Sequence, residues 1–380
     1  MGQAPPPPKR VLLGQLAARG DCLYATAVAR QIKADFPDCH LTWAIGSLCR
    51  PILDGNPHVD AVWEVPLDDH AGVAAAWQAF YAEARRRVDA GEFDEAFFTQ
   101  IYPANFRRYD GTVRASIFRG YPRPITVPVA PVVRLSATEI ENVRRFAQTH
   151  DLANHHPVIL FECIHSSAQS FIGPDFVYRA IDLLVQRLPR CKIILSSHLA
   201  LETGHPAAVS GDSLTFRENA ELIKYCTLLI GCSSGITWLC TSDWAKPLPT
   251  IQLLKRDTGV YASVTHDHEH FGLPAENVIE LTDCAADHLV DCVATAVQEG
   301  IGAARRRYHR RLPLRFGFYE PTLAFLIQSG AGRDALQSCA AILRRYGPRP
   351  AVVMLALRTL FRVVRAAITH RAGARHENKS

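Results

Sequence analysis

No apolar run in this 380-residue chain reaches the roughly 18–20 residues that a membrane-spanning helix requires. A secretory signal is missing too, because the opening MGQAPPPPKR has no apolar h-region and reads as a flexible Pro-rich lead over 1–8. Pro6 stands where N-myristoylation of Gly2 would need Ser or Thr. None of the 11 cysteines belongs to a C-x-x-C pair and their number is odd, so they read as reduced, mostly buried thiols of a cytoplasmic protein. Excess charge is scarce as well. A net charge of +5, with no aromatic platform interleaved among the basic runs, disfavours nucleic acid as a partner. What is present is 48% apolar and 21% charged residues, in a chain long enough for two cores of ordinary domain size.

Strands alternating with helices mark out those two cores. Lys9 to Gly14 reads as a short buried strand, followed by a loop through Asp21, a helix from Cys22 to Phe36 and a second strand from Leu41 to Ile45. The polar stretch from His150 to Pro157 reads as a linker between an N-terminal domain at 9–150 and a C-terminal domain at 157–300. Val158 to Glu162 is a continuous run of the kind found in sheets covered on both faces. After it come a loop at 164–171, a helix from about Pro174 to Leu188 and a strand from Lys192 to Ser197. The alternation in both halves predicts an α/β fold of two Rossmann-like, doubly wound parallel sheets. Ligands of such sheets bind at the carboxyl ends of the strands, which for two facing sheets is the cleft between them.

Residues 215–247 carry the strongest functional pattern: a helix, a buried strand from Thr227 to Gly231, the turn Cys232-Ser233-Ser234-Gly235, and a second helix from about Ile236 to Trp244. Such a turn aims backbone N–H groups and the positive end of a helix dipole at an anion such as a phosphate. Gly235 lets the chain approach a ligand closely, while Ser233 and Ser234 offer a cap and hydroxyl donors. The same turn also suits any capped helix that follows a strand.

Taken without gaps, Glu218 through Pro247 resembles the C-terminal signature of the family-nine glycosyltransferases, whose best-known members are the ADP-heptose:lipopolysaccharide heptosyltransferases. That signature has an acidic helix start, an apolar strand, a G-x-D-[ST]-G turn, a His three residues later and a closing K-P. Glu218, Gly231, Ser234, Gly235, Lys246 and Pro247 stand in place, while Ser233 occupies the aspartate position and Trp238 the histidine position. The N-terminal half resembles the same family, with a strand, Gly20-Asp21 at a helix start, a helix ending near Pro37, a strand, and an N-P-x-[VI]-D-x-[VI] run from Asn56 to Val62. The resemblance implies the GT-B architecture with C-terminal helices. It also implies metal-independent, inverting transfer of a sugar, heptose among the candidates, from a nucleotide-diphosphate donor to bacterial lipopolysaccharide or another surface glycan, with no cofactor.

The same resemblance assigns roles. Asp21 becomes the general base that takes the acceptor hydroxyl's proton. Arg19 beside it, read from the residues alone, suits an acceptor phosphate, a donor phosphate or plain solvation, with the acceptor side the expectation. By the resemblance, Ser166, Ser167, Gln169, Ser233, Ser234 and Gly235 surround the donor phosphates and Glu218 borders the ribose. Trp238, at the family's histidine position, has by its own chemistry a ring able to stack on base or sugar. Gln169 falls at a position where the family usually has a lysine. On the residues alone, Asp21 equally suits a helix cap, Glu218 a helix N-terminal charge, and Trp238 a core position. The Lys-to-Gln, Asp-to-Ser and His-to-Trp departures together read as a different nucleotide sugar or as a binding protein without catalysis. A nucleotide-sugar epimerase or hydrolase of the same fold is the other alternative.

Two further stretches draw the eye. His266-Asp267-His268-Glu269-His270 gathers three imidazoles and two carboxylates, but alternate residues of an extended loop converge poorly on a metal, so no metal site is expected. Tyr102, Asn105, Arg107, Arg108, Tyr109, Arg114 and Arg119 form an Arg and Tyr mixture suited to an anionic glycan acceptor, with Arg107 and Arg108 as the chosen contacts. Past residue 300 the chain turns Arg-rich, with helices expected over 301–370 and a disordered tail over 371–380. The segment 350–369 is apolar with Arg358, Arg362 and Arg365 along one face. It reads as a helix that lies against the inner face of the cell membrane or packs across the domains.

Overall fold

The computed structural model describes residues 7–165, 168–196, 204–317 and 319–377, without the side chains of 259, 260 and 369–377. Two sheets, each wholly parallel, organise it. The first contains β1 (Arg10–Gly14), β2 (His40–Gly46), β3 (Ala61–Val65) and β4 (Glu95–Phe98) in the order β3-β2-β1-β4. Parallel neighbours cannot be joined by a hairpin, so the returning chain covers the faces. Helix α1 (Arg19–Asp35) packs Cys22, Val28 and Ile32 with Val11 and Leu13. On the other face α2 (Val73–Asp89) packs Trp77, Phe80 and Ala84 with Leu12 and Ala44. Helix α3 (Val113–Phe118) then lies beside α1.

The second sheet is preceded by α4 (Ala137–Thr149) and contains β5 (Val158–Glu162), β6 (Lys192–Ser196), β7 (Ala208–Ser210), β8 (Leu228–Gly231), β9 (Thr250–Leu254) and β10 (Val278–Thr282). Its order is β10-β9-β8-β5-β6-β7. Between the strands run α5 (Pro174–Arg187), α6 (Asn219–Leu222), α7 (Gly235–Leu239), α8 (Gly259–Ala262) and α9 (Val264–Phe271), with α10 (Ala286–Gln298) and α11 (Ile301–Tyr308) after β10. The strand order reverses between β1 and β4 in one sheet and between β5 and β8 in the other. Those two switch points are where open parallel sheets form ligand crevices.

Helices α12 (Glu320–Gln328), α13 (Gly332–Tyr346) and α14 (Pro350–Glu377) leave the second lobe and return to the first. Tyr319, Leu323, Cys339 and Ile342 join the same core as Tyr109 and Phe118. Ser338 Oγ donates to the Tyr109 carbonyl at 2.7 Å, and Arg345 pairs with the buried Asp110 at 3.0 Å.

Three sequence expectations change here. Helix α4, capped by Ser136 and Glu139, packs Val143, Phe146 and Ala147 on Leu160, Ile194 and Leu229. The second lobe therefore begins near residue 136, not at the polar stretch 150–157, which is a turn on its surface. The His266–His270 run is helical within α9, not an extended loop. Helix α14 continues to Glu377, past residue 371 where a disordered tail was expected.

Candidate functional site

The two switch points face each other. The helix start after β1 and the turn after β8 meet at two glycines. A Cβ on Gly20 would lie 3.7 Å from Trp238 Cδ1, and a Cβ on Gly235 would lie 3.0 Å from Phe216 Cε2 and 3.8 Å from Arg19 Cβ. The exposed Arg19 holds its guanidinium 5.4 Å over the Phe216 ring, and Tyr24 packs on Trp238 at 5.1 Å between centroids. Asp21 lies in the first turn of α1 beside this seam. It has no hydrogen-bond partner among the described residues. Only part of the residue stays open to solvent, and burial pushes its carboxyl up from 3.8 to about 7. An uncommitted carboxylate of that basicity can hold or release a proton near neutral pH.

A second carboxylate, which the sequence reading treated only as a strand residue, is the most heavily bonded group in the site. Glu162, 1% exposed at the end of β5, accepts from the backbone N–H groups of Cys232 at 2.8 Å, Ile236 at 2.9 Å and Thr237 at 3.2 Å, and from Thr237 Oγ1 at 2.7 Å. The N–H of Ser234 points to it at 3.4 Å. Gln252 Oε1 accepts from Ser233 N at 2.8 Å, where Ser233 has a left-handed φ of 54°. The amides that the turn was expected to aim at a phosphate are thus already satisfied from within the chain. That expectation is corrected: of the amides at 232–237, only that of Gly235 lacks an acceptor among the described residues. The one signal for this was a carboxylate closing an otherwise apolar strand, VILFE.

The other chosen residues divide sharply. Ser166 and Ser167 lie outside the described residues. Gln169 is buried and donates to the Ser233 carbonyl at 3.1 Å, while its Oε1 has no partner among the described residues. Glu218 is 2% exposed, accepting from Asn142 Nδ2 at 2.9 Å and Thr215 N at 2.7 Å. Its carboxylate braces α4 against the loop before α6 and does not open toward a ribose. Trp238 is buried in the seam against Tyr24, which fills the position expected to stack on a ligand. The Ser234 residue remains partly accessible.

Among the acceptor candidates, Arg107 is exposed and Arg108 half-buried. Both line a cavity of about 850 Å³ together with Trp77, Tyr81, Phe98 and Asn105. This cavity runs along β4, at the edge of the first sheet, outside the seam between the lobes. Arg114 belongs to a different structure altogether. It is 1% exposed in a box of Tyr24, Trp238 and Phe271 rings and lies 3.3 Å from Asp267 of α9, so it ties one lobe to the other. Within the His266–His270 run, His266 Nε2 faces the Leu312 carbonyl and His268 Nδ1 the Pro274 carbonyl, so the rings diverge.

A second interlobe tie is Arg217. It pairs with Glu139 at 2.8 Å and donates to the carbonyls of Pro51 and Asp54 in the first lobe. Asp243 similarly takes Arg30 at 2.8 Å. These contacts hold the two lobes against one another on either side of the seam.

No family model and no curated protein sequence matches the chain. Solved structures do. A family-nine glycosyltransferase from Veillonella parvula is 13% identical at a TM-score of 0.52, covering 78% of this chain and 93% of its own. The ADP-heptose lipopolysaccharide heptosyltransferase II of Escherichia coli is 12% identical at a TM-score of 0.51, covering 77% and 99%. A UDP-N-acetylglucosamine 2-epimerase candidate from Listeria monocytogenes is 10% identical at a TM-score of 0.50, covering 85% and 97%. With two parallel-sheet lobes meeting at their switch points, the chain has the GT-B fold that these proteins share, and the likeness extends to the fold alone.

Proposed function

We propose that this chain is an inverting glycosyltransferase that moves a sugar, with heptose the first candidate, from a nucleotide-diphosphate donor to a bacterial lipopolysaccharide or other surface-glycan acceptor in the cytoplasm. The observation that carries the reading is Asp21: a carboxylate without a hydrogen-bond partner among the described residues, at the seam between the lobes, with its pKa raised to about 7 by burial. The acceptor hydroxyl would give its proton to Asp21 Oδ as its oxygen bonds to the anomeric carbon. The nucleoside diphosphate leaves with the electron pair of the broken bond. Arg19, the Ser233 and Ser234 hydroxyls and the Gly235 N–H are the groups in reach for the departing phosphates, and the family resemblance adds Ser166 and Ser167. Arg107 and Arg108 would hold an anionic acceptor in the groove along β4.

A second reading has its own support. Glu162 fills the turn with internal hydrogen bonds, while Gln169, Glu218 and Trp238 are buried, an arrangement that suits a nucleotide-sugar-binding protein without turnover. Incubation with ADP- and UDP-sugars, with and without envelope glycan, separates the readings. Acceptor-dependent release of nucleoside diphosphate supports transfer, and acceptor-independent turnover supports a hydrolase or epimerase. Binding without turnover leaves the second reading.

A further inference from the structure

Among the described residues of the two lobes, large exposed apolar side chains are scattered: Val62, Tyr81, Tyr102 and Tyr178. Helix α14 is different. Its inner face buries Val352, Leu355 and Thr359, and a Cβ added to Gly332 of α13 would lie 3.4 Å from a Val363 methyl. Its outer face presents Met354, Leu357, Leu360, Phe361, Val364 and Ile368, with Phe361 68% and Ile368 63% exposed. The spacing 354, 357, 361, 364, 368 is one stripe of a helix. A contiguous stripe of this kind on a folded surface marks a docking face.

Charge says what docks. After residue 300 the chain has 16 Lys and Arg against three acidic residues, whereas the first 300 residues have 26 against 34. Arg358 and Arg362 are exposed beside the apolar stripe, and the exposed pairing of Arg358 with Glu320 at 3.0 Å neutralises little of this. A second copy of the chain would set this cationic flank against itself. An anionic lipid surface complements both parts, taking the apolar stripe at the acyl boundary and the guanidinium groups among its phosphates. No helix among the described residues is long and apolar enough to cross a membrane, so α14 would lie in the plane of the interface.

We infer that the outer face of α14 docks the protein on an anionic lipid bilayer. The helix is mounted on the first lobe through α13, whose Ser338 and Arg345 hold Tyr109 and Asp110 immediately after the Arg107-Arg108 pair. Docking therefore holds the first lobe at the lipid surface. The docking stands without the transfer reading, and only its use, the presentation of a lipid-borne acceptor, rests on that reading.

The test is co-sedimentation of the full chain with vesicles of phosphatidylcholine, with and without about one-third phosphatidylglycerol. The protein should pellet with the anionic vesicles, and binding should fall by about tenfold or more at about 0.5 M salt. Leu357→Glu with Phe361→Glu should lose at least about tenfold in binding, and Arg358→Gln with Arg362→Gln should lose it selectively for the anionic vesicles. All four positions are exposed, and an unchanged melting temperature checks that the variants fold. The inference is overturned if the wild type stays in the supernatant with anionic vesicles, or if folded variants pellet like the wild type. It is equally overturned if the wild type is a dimer that Phe361→Glu disperses while neither form binds vesicles. Failure of the sugar-transfer assay would leave the sedimentation result untouched.

Discussion

Asp21 and Glu162 are two carboxylates near the carboxyl ends of the switch-point strands, one in the first turn of the helix that follows β1 and the other closing β5. Both are largely withdrawn from water, yet they differ in every chemical respect. Glu162 is met by three backbone N–H groups and a hydroxyl within 3.2 Å, so its charge holds a turn together. Asp21 has no such partner among the described residues, and burial raises its pKa to about 7. Desolvation becomes reactivity only when donors are withheld.

The largest expected effect falls on Asp21. Asp21→Asn keeps the size of the side chain but removes the base, and acceptor-dependent release of nucleoside diphosphate should drop by about 10²–10⁴-fold. Undiminished turnover would make Asp21 a helix residue and no more. The converse change is Glu162→Ala, which leaves the amides of Cys232, Ile236 and Thr237 without an acceptor. It should cost about 3 kcal/mol or more of stability, read as a lower denaturant midpoint. If that midpoint does not move, the internal anion is not what holds the turn.

The smallest effect concerns pH. The folded-state pKa of Asp21 is raised from 3.8 to about 7, so the fold favours its protonated form. That contribution is fully present below about pH 4 and is lost as the pH climbs through about 7. Asp21→Asn should therefore match the wild type in melting temperature at acid pH and exceed it at pH 8 by about 1–3 kcal/mol in stability. Equal melting temperatures at both pH values would show that Asp21 is not desolvated.

Local signals served the strands well. Val158–Glu162 forms β5 over the expected residues, because five consecutive buried positions admit few alternatives to a strand covered on both faces. Helix α9 shows no helical pattern in the sequence because two of its three buried residues, Val264, Thr265 and Asp267, are polar: Ser263 caps the His266 N–H, and Asp267 lies against Arg114. No apolar periodicity announces such a helix. The Arg and Tyr mixture around Arg114 looked like one surface, but the fold distributes it, burying Tyr109 and Arg114 and leaving Arg107 outside. Glu218 matched a motif position, and only its neighbours Asn142 and Thr215 disclose that its oxygens are engaged internally.

Apolar runs, turn residues and helix starts are properties of a few consecutive positions. The amino-acid order alone therefore established the two parallel lobes and put Gly20-Asp21 and Ser234-Gly235 at their carboxyl ends. Which carboxylate is spent and which is left to react was decided in three dimensions. The partners of Glu162 come from 70 and more residues further along the chain, and the desolvation of Asp21 depends on how the folded chain closes around it. Charge state follows from the neighbours that folding brings together, and those neighbours are not local to either residue.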